Sequence, residues 1–278
     1  MVGAGLRARR QLKGLMMILS RSLMTSLLVS VVAAGSVLCA EPATQLAPGR
    51  TVTIRFPEMP PTFYAVQQKK DIKAEMTIFL PTNYDPGKKF PLLIFLNGGD
   101  GGTGRDLGVA RSLSEGRDFV CVSMPLFKKG DPNASGNYVM NAEDGRYMWP
   151  FFKTMLAKLD EAVPNIDSAH RVLGGFSNGA HATAALLDAS EGEVSRRFCA
   201  FLCVEGAGRL QHYDLLKGKP FLMVSSNAKS QPRAQQIYDA AKAAGAKATL
   251  LVEDVGTHDF PVRAYPAVRQ WLRGPALE

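Results

Sequence analysis

From residue 90 onward the chain repeats one arrangement. Short, nearly continuous apolar runs at 92–96, 119–122, 172–173, 201–204, 221–224 and 249–252 are separated by stretches of helical character at 105–114, 147–162, 178–189, 231–244 and 262–272. A strand that is apolar at every position has both faces covered. Strands that alternate with helices join a mainly parallel sheet through right-handed crossovers. Two earlier segments, 51–56 and 75–80, alternate apolar and polar residues with period two, which predicts half-exposed antiparallel edge strands. The pattern therefore predicts an α/β fold: a mainly parallel central sheet flanked by helices, with antiparallel edge strands at the N-terminal side. Residues 128–145, rich in Gly, Asn, Asp and Ser, interrupt the alternation and predict a surface excursion. It follows a parallel strand, so its start is expected at the carboxyl edge of the sheet, where such folds bind ligands.

With 278 residues, 46% of them hydrophobic, the chain is long enough for one large α/β domain, expected over 41–278. The first forty residues differ in kind. Arg7, Arg9, Arg10, Lys13 and Arg21 precede an apolar run at 23–38, and no acidic residue occurs before Glu41. This predicts a secretory signal peptide over 1–40, cleaved near Cys39 or Ala40, and an exported protein, periplasmic or secreted. The run is short for a membrane span, so no stable membrane association is expected once the leader is removed.

Charge changes little after that. The formal charge is +8, but the five leader cations account for most of it, leaving 28 basic against 25 acidic residues. No stretch interleaves Lys or Arg with aromatic residues as a nucleic-acid groove does, so no nucleic-acid partner is expected. Cys121, Cys199 and Cys203 sit in apolar strand-like runs and read as buried thiols, the last two on one strand and too far apart along it to bridge.

The most informative segment is His170-Arg171-Val172-Leu173-Gly174-Gly175-Phe176-Ser177-Asn178-Gly179-Ala180. An apolar strand runs into G-x-S-x-G and then into a good helix former, the pattern of a nucleophile elbow. Presenting a serine hydroxyl at the end of a sheet requires a sharp strand-to-helix turn. Such a turn has no room for side chains two residues on either side, and Gly175 and Gly179 meet that demand.

Two further segments accompany the elbow in a consistent order: Pro91-Leu92-Leu93-Ile94-Phe95-Leu96-Asn97-Gly98-Gly99 before it, and Gly256-Thr257-His258-Asp259-Phe260 after the last strand. On these three segments the chain, from about residue 51 to 272, resembles the α/β-hydrolase superfamily. Within it the resemblance is to secreted carboxylesterases, feruloyl esterases and polyhydroxyalkanoate depolymerase-like members. It implies a serine hydrolase acting on small-molecule or polymeric esters through an acyl-serine, without cofactor or metal; no phosphate-binding or metal-binding motif is present in the sequence. Peptidase or acyltransferase chemistry on the same fold is an alternative, as is a catalytically silent carbohydrate- or polymer-binding fold.

The chemistry allots roles. A serine hydroxyl needs an imidazole to take its proton, and His258 is placed for it, whereas His170, His181 and His212 read as structural. The oxyanion requires backbone N–H donors, expected from Asn178 and Gly99; Asn97 stands where the family usually has histidine. For the third member, relatives place a carboxylate after the strand corresponding to 221–224, but this chain has Ser225-Ser226-Asn227-Ala228-Lys229-Ser230. Glu205, directly after 201–204, is the candidate acid, with Asn227, Glu253 and Asp254 as rivals. Tyr147, Trp149, Phe151 and Phe152 read as core packing, with an acyl or aryl pocket as the alternative.

Overall fold

The computed structural model describes residues 46–68, 72–130, 139–208 and 210–278; the leader expected over 1–40 lies outside the described residues. In chain order the elements are β1 (Thr51–Phe56), α1 (Phe63–Gln67), β2 (Ala74–Phe79), β3 (Phe90–Leu96), α2 (Gly108–Ser114), β4 (Val120–Ser123), α3 (Ala142–Ala162) and β5 (Ile166–Phe176). They continue with α4 (Asn178–Ala189), α5 (Glu193–Arg197), β6 (Ala200–Val204), β7 (Pro220–Ser225), α6 (Gln231–Ala243), β8 (Lys247–Val252) and α7 (Tyr265–Arg273). The eight strands form one sheet in the order β1-β2-β4-β3-β5-β6-β7-β8. The first two pairings are antiparallel and the rest parallel.

The continuous apolar runs are explained by two cores. Leu92, Ile94, Leu96, Phe201, Cys203, Phe221 and Met223 face one core with α3, α4 and α6. Their neighbours Leu93, Phe95, Leu202, Val204, Leu222 and Val224 face the other, with α2 and α7. Because strand side chains alternate faces, covering both faces requires an apolar residue at every position. Trp149 and Phe152 of α3 lie in the first core, and Tyr147 and Phe151 pack against it half-buried.

Three expectations from the pattern are corrected. β2 is not a half-exposed edge strand: all six of its residues are buried between β1 and β4. Its polar positions misled because Glu75 is buried and satisfied by Arg55 and Arg105 rather than by water. β8, read as covered on both faces, is the opposite edge and stays partly exposed throughout. Finally, the excursion expected over 128–145 ends earlier, since α3 begins at Ala142 under a capping box between Asn141 and Asp144. Gly145, which reads as a loop signal, is inside the helix, where a Cβ would lie 2.2 Å from the Ala185 carbonyl oxygen of α4. Cys199 precedes β6 rather than lying on it; it, Cys121 and Cys203 are free thiols.

Gly175 and Gly179 answer the steric argument directly. A Cβ on Gly175 would stand 2.4 Å from the Gly179 carbonyl carbon, and one on Gly179 would stand 2.0 Å from the Leu96 carbonyl oxygen. Backbone opposes both positions and cannot yield. Gly179→Ala is expected to cost about 3 kcal/mol or more of stability, read as a lowered urea midpoint; an unchanged midpoint would contradict this packing.

Candidate active site

β5 ends at Phe176, α4 begins at Asn178, and Ser177 between them has φ 51° and ψ −116°, in a strained region that a serine occupies only when its surroundings hold it there. Its N–H donates to the Val204 carbonyl at 2.7 Å and its carbonyl accepts from His181 N–H at 3.0 Å, so both peptide ends of the turn are fixed. The side chain caps no helix N–H. Instead, Ser177 Oγ lies 2.7 Å from His258 Nε2. His258 stands in the loop after β8, its ring tilted against that of Phe176 with centroids 5.3 Å apart, and its Nδ1 lies 3.1 Å from Glu205 Oε2. The structure thus joins Ser177, His258 and Glu205 in one hydrogen-bonded relay at the carboxyl edge of the sheet.

Glu205 is held with unusual care. It follows β6 at φ 53°, and Gly206 and Ala207 complete a sharp turn over the elbow, where a Cβ on Gly206 would fall 2.5 Å from the Ser177 carbonyl oxygen. Its carboxylate is 1% exposed, against 56% for the His258 side chain. It accepts hydrogen bonds from Ser226 N–H, from Asn227 Nδ2 at 3.0 Å and from Ser230 Oγ at 2.6 Å. All three donors come from the 225–230 loop, the very loop that lacks an acid. Of the rivals, Asn227 therefore bonds the carboxylate, Asp254 accepts from Gly256 N–H, and among the described residues neither Glu253 nor Asp254 bonds the imidazole. Of the other histidines, His181 meets Ser177 through its backbone N–H, His170 Nδ1 is 2.7 Å from Asp167 Oδ2, and the His212 N–H donates to Asp188.

Burial is the largest influence on the Glu205 carboxyl and raises its pKa. The bonds from Ser230, Ser226 and His258 together outweigh it, so the group is held below the ordinary value of 4.5. A folded-state pKa below the unfolded one adds stability that is complete above the unfolded value and disappears as pH falls through the folded one. Removing the Ser230 donor raises the folded value and narrows that gap. The acid-side fall of Tm should therefore be smaller and level off at higher pH in Ser230→Ala than in the parent, as measured by thermal melts from pH 7 to 3; superimposable profiles would sink this account.

Gly99, at φ 61°, lies in a glycine-rich loop after β3, and Asn178 is the first residue of α4. Among the described residues neither backbone N–H meets an acceptor. The structure also has a cleft of about 500 Å3, whose lining does not include the relay residues themselves. Its walls are the start of α3 (Asn141, Ala142, Glu143), the chain after β6 (Gly208, Leu210, Gln211) and Arg233 of α6. Among the described residues no group of three or more His, Cys, Asp or Glu is arranged to hold a metal ion, and no helix is long and apolar enough to cross a membrane.

No protein-family model and no curated protein sequence matches this chain. Solved structures do. A ferulic acid esterase superposes with TM-score 0.55 at 16% identity, over 82% of this chain and 97% of its own. Esterase Est2 of the Planctomycetes species Thermogutta terrifontis, with butyrate bound, gives 0.53 at 14%, over 75% and 90%. YahD, solved with malic acid, gives 0.51 at 15%, over 67% and 94%. The chain has the α/β-hydrolase fold. Several features of this site were not legible in the sequence, namely the donor roles of Ser226, Asn227 and Ser230 and the two side-chain bonds of Asn178. The density of short polar side chains at 225–230 is the one signal that pointed to the former.

Proposed function

We propose that the protein is a serine hydrolase that cleaves carboxylic esters through an acyl-Ser177 intermediate. The observation that carries the reading is the relay Ser177 Oγ to His258 Nε2 at 2.7 Å and His258 Nδ1 to Glu205 Oε2 at 3.1 Å, mounted on a strained elbow. Ser177 Oγ attacks the ester carbonyl carbon while its proton passes to His258 Nε2. Nδ1–H stays with Glu205, which orients the ring and stabilises the imidazolium without taking the proton. The N–H groups of Gly99 and Asn178 receive the negative charge that develops on the carbonyl oxygen, where preorganised donors contribute most. Collapse expels the alcohol, protonated by Nε2–H, and water activated by the same imidazole releases the carboxylic acid.

The cleft receives one side of the ester. Chain proximity supports this: Asn141 follows Met140, whose N–H bonds the Asn178 side chain, and Gly208 lies two residues after Gly206, which approaches the Ser177 carbonyl oxygen. Asn141, Glu143, Gln211 and Arg233 give it a polar lining, suited to a hydroxylated or charged ester rather than a long alkyl chain. The basic leader with its apolar run favours action outside the cytoplasm. Two of the fold neighbours are named esterases, which agrees with the chemistry. What had favoured a silent binding fold was the missing acid after Val224, and Glu205 now faces His258 in its stead.

The experiment is fluorophosphonate labelling of the purified protein, with the modified residue located by mass spectrometry, followed by a panel of short, hydroxylated and long-chain esters. Labelling at Ser177 and turnover of polar esters are expected. A well-folded protein that takes no label and hydrolyses no ester is not a serine esterase.

A further inference from the structure

Asn178 does more than contribute a backbone N–H. It is buried at the first position of α4, and both ends of its side-chain amide are used: Nδ2 donates to the Gly99 carbonyl at 2.7 Å, and Oδ1 accepts from Met140 N–H at 2.8 Å. One amide therefore ties three separate segments together, namely the loop after β3, the elbow helix and the lead into α3.

The loop needs such a tie. Gly99, Gly101 and Gly102 all have positive φ; Gly101 packs on Leu126, where a Cβ would lie 2.1 Å from Cγ, but around Gly99 and Gly102 the space where a Cβ would stand is open. Glycines without packing keep wide rotational freedom. Hydrogen bonds at 98–102 are otherwise internal, Gly101 N–H to Gly98 O and Gly102 N–H to Asp100 Oδ1. Gly98 is fixed on one side by close approach to Phe176 and Ser177. On the other side the Asn178 amide is what holds the Gly99 peptide, among the described residues.

We infer that the Asn178 side chain is a positioning residue that clamps Gly99 so that its N–H is preorganised for the oxyanion. The inference rests on the hydrolase reading above. A loop released by about 1 Å weakens stabilisation of the transition state while leaving ground-state binding in the cleft largely intact, an effect worth up to about a hundredfold in rate.

In Asn178→Ala, kcat for an ester cleaved by the parent protein should fall roughly 10- to 100-fold with KM within about threefold. Affinity for an alkyl boronic acid, which forms a tetrahedral adduct on serine and places an oxygen at the same donors, should fall by the same factor. Helix packing alone would not link those two readouts while sparing KM. Asn178→Asp keeps the shape and the acceptor for Met140 N–H but turns an oxygen toward the Gly99 carbonyl; it should show the same paired loss and serves if the alanine variant does not fold. A folded variant of either kind with parental kcat and boronate affinity overturns the clamp. A parent protein that neither hydrolyses esters nor takes fluorophosphonate overturns the hydrolase reading and the clamp with it, so the two failures are told apart.

Discussion

Ser177→Ala is expected to lower kcat for ester hydrolysis by about 10⁵- to 10⁶-fold and to abolish fluorophosphonate labelling, with the melting temperature unchanged. The stability half of this statement is as informative as the activity half. Alanine carries the same Cβ as serine, so the strain at φ 51° is neither relieved nor increased. Among the described residues the Ser177 hydroxyl caps no helix N–H and bonds only His258, whose side chain is largely exposed. Removing it therefore leaves no buried polar group without a partner, the usual source of a large destabilisation. A parallel measurement of kcat and Tm checks both halves, and a variant retaining even a hundredth of parental turnover would remove Ser177 from the reaction.

Glu205→Gln should lower kcat by about 10³- to 10⁴-fold, since a neutral amide neither fixes the Nδ1–H tautomer nor stabilises the imidazolium. Here stability should fall as well. Three donors converge on the carboxylate, from Ser226, Asn227 and Ser230, and a glutamine amide directs its own N–H groups at one of them. The variant exchanges an acceptor for a donor in a buried site, a change that costs desolvation without return. Asn227→Ala separates orienter from support: Asn227 bonds the carboxylate and not the ring, so its loss should cost less than tenfold in kcat. If Asn227→Ala proved as damaging as Glu205→Gln, Asn227 rather than Glu205 would be the orienting group.

The places where the sequence misled share a cause. β2 reads as half-exposed because its Glu75 and Thr77 look solvated, yet Glu75 meets Arg105, 30 residues away, and Arg55, 20 residues away. β8 reads as central because its residues are apolar, but burial depends on neighbours, and among the described residues no further strand pairs with its outer edge. The start of α3 was obscured by Gly145, whose small size serves an interhelical approach to Ala185 rather than a turn. In each case a residue type carries a local meaning that a distant partner replaces.

What the sequence determined by itself is what short-range sterics and side-chain periodicity dictate. The doubly covered strands, the strand-to-helix elbow and its flanking glycines are legible because their causes act within a few residues of chain. What only the tertiary structure decided is how distant groups meet. Ser177 and His258 are 81 residues apart, and His258 and Glu205 are 53 apart. Ser230 lies 25 residues from the carboxylate it supports, and the Asn178 amide reaches 79 residues back to Gly99. These are side-chain hydrogen bonds of a few ångströms whose geometry is set by the order and register of parallel strands, and no local pattern encodes which polar residue a folded sheet will bring to its carboxyl edge.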